Sequence, residues 1–78
     1  MINTANFVNE SLNTLKAKVL SFSSSIVQCN NLGIIPNKKD DIILDWSFIL
    51  ISAYENYRIF TDEQKDRINL LYRKVLEL

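Results

Sequence analysis

Between residues 3 and 30 the apolar positions recur with a single rhythm. Ala5, Val8, Leu12, Leu15, Val19, Phe22, Ile26 and Cys29 follow one another at steps of 3, 4, 3, 4, 3, 4 and 3. Alternating steps of this kind keep one side of an α-helix turned to a neighbour, so the spacing predicts a long helix that packs along its length. Leu20 and Val27 lie roughly 110° away from the stripe, so the second half of the helix is expected to be covered on two sides. The opposite face is rich in Asn, Ser and Thr, which cost up to ~0.7 kcal/mol each in a helix, and the apolar stripe must supply the stability. Bending or early fraying is expected over Ser21–Ser25.

Two punctuation points divide the rest. The chain's one Gly and one Pro fall in Leu32-Gly33-Ile34-Ile35-Pro36-Asn37. Gly33 suits a left-handed position just past a helix, and Pro36 follows where a helix cannot continue. Further on, Thr61 stands three residues before Gln64, with Asp62 and Glu63 between them, the pattern of a capping box at a helix start. A second helix over about 38–59 and a third over about 62–77 are therefore predicted. A strand is the alternative over DIILDWSFILISAY. It is rejected because Asp41, Asp45, Ser52 and Asn56 recur at helical steps of 4, 7 and 4, and no second strand candidate exists to pair with it.

The second helix is apolar around most of its circumference, including Ile42, Ile43, Trp46, Phe48, Ile49, Leu50, Tyr54 and Tyr57. A helix of that kind is normally surrounded by protein. The third turns amphipathic only after Ile68, through Leu71, Tyr72, Val75 and Leu76, and Leu78 at its end is expected to lie against something. The fold class is all-α: a three-helix bundle, or a long helix plus a helical hairpin, in one small domain spanning 1–78. Helices 2 and 3, joined by a short connection, are expected to form a hairpin against helix 1. At 78 residues the core is small, and chains of this size bury only ~60% of their unfolded surface. Completion by partner chains, as a homo-oligomer or a subunit of a larger assembly, is the expected remedy. Disulfides and metal are poor candidates, because the chain has one Cys and no His.

Charge changes the picture in one respect. Nine basic residues balance nine acidic ones, so the chain lacks the basic excess that marks nucleic-acid or anionic-membrane binding. The balance is uneven along the chain. Residues 1–39 carry four lysines against Glu10, and residues 40–60 carry Arg58 against Asp40, Asp41, Asp45 and Glu55. The opposite signs favour these segments packing together or head-to-tail contact between copies, and the plain reading is solvated helix faces worth ~0–1 kcal/mol per pair. The longest apolar stretch, Ile42 to Tyr54, has 13 residues, contains Asp45 and falls short of the ~20 needed to span a bilayer. The opening residues lack the charged region of a signal peptide. A lipoprotein reading at Cys29 fails because Gln28 stands where a small residue is needed. A cytoplasmic location is expected, or a virion if the chain is phage-encoded.

Candidate chemistry is thin. Without His there is no Ser-His or Cys-His nucleophile, and one Gly excludes the phosphate-binding glycine loops. Asp41 and Asp45, four residues apart beside Asp40, would hold Mg²⁺ only with help from another helix, and they read more simply as the solvent side and start of helix 2. Cys29 reads as a small buried hydrophobe rather than a reactive thiol. No catalytic, cofactor-binding or metal residue is assigned, and no small-molecule substrate is expected. Trp46 and Tyr54 are expected in the chain's own core. Phe48, at the edge of the polar strip, with Tyr57, Arg58, Phe60 and Leu78, is expected at a partner interface.

These readings point to a non-enzymatic structural or adaptor protein acting by helix-mediated contact. A small subunit of a phage, viral or other multi-chain assembly fits the size. The chain's ten Ile, nine Asn and six Lys are a bias that AT-rich genomes tend to produce. The alternatives are an inhibitor or antitoxin-like binder, or a nucleic-acid-binding regulator. The regulator would use Lys65, Arg67, Arg73 and Lys74, with Tyr54, Tyr57 and Tyr72 stacking on bases.

Overall fold

The heptad stripe does form one unbroken helix. In the computed structural model, which describes residues 4–78 and the side chains from Asn6 onward, α1 runs over Thr4–Asn31, straight through Ser21–Ser25. It ends in a Schellman turn: Gly33 has φ of +72°, its N–H donates to the Asn30 carbonyl, and the Ile34 N–H donates to the Cys29 carbonyl at 2.8 Å. The chain reverses within six residues. Asn37 then caps α2 (Lys38–Glu55), its side chain accepting from the Lys39 N–H at 2.9 Å, with Asp40 and Asp41 favourable in the first turn.

α2 is shorter than the expected 38–59. The Asn56 side chain donates to the Ser52 carbonyl and its backbone leaves helical geometry at φ −111°, ψ 22°. A 3-10 turn, Tyr57–Ile59, follows. α3 (Asp62–Glu77) then opens on the capping box expected at Thr61: the Gln64 N–H donates to Thr61 Oγ1, and the Thr61 N–H donates to Gln64 Oε1. All of the regular structure among the described residues is helical.

α2 packs against both of its neighbours, more extensively along α1 than against α3. The tight turn at Gly33 folds α2 back along the heptad stripe, and α3 lies against the end of that hairpin remote from the turn, where Tyr54 meets Tyr72 edge-on. At about 1.5 Å per residue, α3 is roughly 24 Å long and α1 roughly 42 Å, so α3 cannot cover the whole hairpin. The molecule is correspondingly elongated, 48 × 20 × 19 Å.

The core is one cluster of Leu15, Ile43, Leu50, Tyr54, Tyr57, Ile68 and Val75, flanked by half-buried Phe7, Phe22, Leu71 and others. Two serines are buried with it, Ser11 and Ser47. Ser47 is wholly inaccessible, and its hydroxyl donates to the Ile43 carbonyl at 2.6 Å, so it is satisfied within its own helix and presents a small side chain to the packing. Ala5 lies outside the residues whose side chains are described; of the described stripe positions only Leu15 is fully buried, and Val8, Leu12, Val19, Phe22, Ile26 and Cys29 are half-buried.

Candidate protein-contact surfaces

Tyr54 and Tyr57 set the geometry at the junction of the three helices. Tyr54 is only 1% exposed. Its ring stacks on Tyr57 at 5.5 Å between centroids and meets Phe7 and Tyr72 edge-on. Its hydroxyl donates to Asn69 Oδ1 at 2.9 Å, and Asn69 Nδ2 donates to the Tyr57 hydroxyl at 3.1 Å. Burial pushes the Tyr54 hydroxyl up to about 12, with a hydrogen bond from Ser11 opposing the rise.

This arrangement corrects part of the expected interface. Tyr57 belongs to the chain's own core, because the 3-10 turn swings its ring in against Tyr54, and the Lys65 ammonium sits 5.2 Å above the ring. Phe60 is half-buried against the same cluster. Phe48, Arg58 and Leu78 are exposed. Tyr54 lies in the core as expected, whereas Trp46, expected there too, keeps 38% of its surface in solvent. Tyrosine faces for base stacking are not on offer, with Tyr54 and Tyr57 buried and Tyr72 half-buried, and Arg67 is engaged by Glu63 at 3.2 Å.

Two of the open apolar surfaces among the described residues border a recess. The first lies on α2. Ile42, Trp46 and Ile49 stand at steps of 4 and 3 and are all exposed, Ile49 by 55%. The next step of 4 reaches Ala53, where a small hollow of about 270 Å³ opens between Ala53, Phe60, Gln64, Arg67 and Ile68. The stripe therefore runs along α2 and ends at a recess between α2 and α3. Sequence reasoning saw the circumference of α2 as apolar but could not say which side its neighbours would leave bare.

The second is a larger cleft of about 760 Å³, walled by Val8, Asn9 and Leu12 of α1 and by residues 54–59. Its rim carries Glu55 and Arg58, and Ile59 beside them is 77% exposed. No α3 residue lines it.

Asp41 and Asp45 are exposed on α2, and among the described residues no three His, Cys, Asp or Glu side chains gather as a metal site would require. No buried side-chain polar atom among those residues lacks a hydrogen bond, so the described side chains include no unpartnered buried group. Cys29 is half-buried with its thiol free. No described helix is long and apolar enough to cross a membrane. Comparison with protein-family models, with characterised proteins and with solved structures finds no significant match to this chain.

Proposed function

We propose that this chain is a non-enzymatic interaction protein, a structural or adaptor subunit that works by presenting helix faces to other proteins. The observation that carries the reading is the Ile42–Trp46–Ile49 stripe. Scattered exposed hydrophobics are ordinary, but an aromatic and two β-branched residues aligned at heptad steps on one well-formed helix are the shape into which a partner helix fits. The recess at Ala53, lined also by Arg67, offers a pocket for an anchoring side chain at the end of that stripe. A small subunit of a phage, viral or other multi-chain particle is the setting that size and composition suggest. The regulator reading is weaker, because Lys65 and Arg67 already have partners within α3 and the 3-10 turn.

The test is affinity capture from the native source with wild type and with Ile49→Asp, a substitution at an exposed position. The reading expects a discrete protein partner retained by wild type and lost by the variant, with unchanged helical circular dichroism in both. Equal capture by both proteins would refute it. So would tight DNA binding whose affinity falls steeply with salt.

A further inference from the structure

The cleft beside the 3-10 turn opens onto a longer face. Val8 and Leu12 of α1 and Glu55 of α2 wall it. The helical repeat carries each wall along the hairpin. Seven residues on from Leu12 comes Val19, with Lys16 between them, and seven back from Glu55 comes Phe48, then Leu44 and Asp41. Val19 and Leu44 are half-buried and Phe48 is 55% exposed. One side of the hairpin thus presents two rails, Val8, Leu12 and Val19 on α1 and Leu44 and Phe48 on α2, with Ile59 at the foot. α3 leaves this side bare, since it contributes nothing to the cleft.

The area is adequate. The molecule measures 48 by 20 Å across its broad dimensions, so one side offers on the order of 800 Å², about the area each partner contributes to a standard stable interface. The charges indicate what covers it. The α1 rail carries Lys16 and no acid, whereas the α2 rail carries Asp41 and Glu55 and no base, with Arg58 beyond it in the 3-10 turn. None of Lys16, Asp41 and Glu55 has an ion-pair partner among the described residues. A two-fold axis parallel to the helices lays each copy's α1 antiparallel on the other's α2, so the basic rail meets the acidic rail twice. A two-fold axis lying across the helices would set Lys16 on its own rail and the acids on theirs.

We infer that a second copy of this chain covers this face, giving a two-fold dimer whose centre is a four-helix layer of two hairpins with α3 outside. The inference rests on the reading that the chain works through helix-mediated contacts, but it uses a different surface from the Trp46 stripe.

Sedimentation velocity over a wide concentration range tests it, with circular dichroism to check folding. A dimer is expected for wild type and a monomer for Phe48→Glu. Lys16→Glu and Glu55→Lys, the basic and acidic rail positions closest in height along the hairpin, should each weaken dimerisation several-fold, and the two together should recover most of the loss. A wild type that stays monomeric throughout overturns the inference, as does a dimer indifferent to Phe48→Glu or a double reversal weaker than either single one. The Ile49→Asp capture experiment is read independently. A monomer that still captures a partner through the stripe sinks the dimer alone, and a dimer whose capture ignores Ile49 sinks the stripe alone.

Discussion

The Tyr54 hydroxyl gives the sharpest test of how α3 is held. Burial raises its pKa from an ordinary value near 10 to about 12, so the folded chain keeps a proton that the unfolded chain releases earlier. The stabilisation linked to that proton is whole below pH ~10 and is lost as pH rises toward ~12. The gap is worth about 2.7 kcal/mol, of which about half is gone by pH ~11. Against a total of roughly 4–12 kcal/mol for a chain of this length, that is a large fraction. The informative quantity is the difference between wild type and Tyr54→Phe. The variant keeps the ring contacts to Phe7, Tyr57 and Tyr72 and loses only the hydroxyl. At neutral pH it should be less stable by about 1–2 kcal/mol, because Asn69 and Ser11 lose a partner. Urea titrations followed by circular dichroism should show that deficit vanishing near pH ~11 and reversing by pH ~12, as wild type alone loses its Tyr54 contribution. A deficit constant with pH would refute the assignment of a buried, late-titrating phenol.

Two further outcomes follow from the packing. Ser47→Ala should change stability by less than about 1 kcal/mol, since the hydroxyl bonds only its own helix, whereas Ser47→Leu should cost about 1–3 kcal/mol by forcing neighbours off a fully closed site. Thermal melts of the two side by side decide it, and a stabilised Leu variant would contradict the close approach at that point. Gly33→Ala meets open space yet must adopt a φ of +72°, so it should lose about 1 kcal/mol through the backbone alone; an unchanged melting temperature would mean that the turn relaxes.

The sequence marked the helices well where local chemistry dictates them. The 3-4 rhythm of α1, the αL glycine at residue 33 and the Thr61–Gln64 box each depend on neighbours a few residues away, and each occurs as expected. What it could not decide was the outward side of α2. Trp46, Phe48, Tyr54 and Tyr57 are equally greasy, and only the placement of α1 and α3 buries Tyr54 and Tyr57 while leaving Trp46 and Phe48 in solvent. The early end of α2 at Glu55 carried no Gly or Pro signal; it depends on Asn56 bonding back to Ser52. Ser11 and Ser47, both buried, are invisible to a hydropathy pattern because they are small and polar.

Asn69 gives the bundle a keyed fit. One amide serves two phenols carried by different elements, accepting from Tyr54 and donating to Tyr57. Sliding α3 by a single residue would shift that amide about 1.5 Å along the axis and swing it about 100° around it, breaking both of its bonds to the phenols at once. Leucines and valines tolerate such slippage; this amide does not. The greasy contacts hold α3 in place, and Asn69 indexes it to one seat.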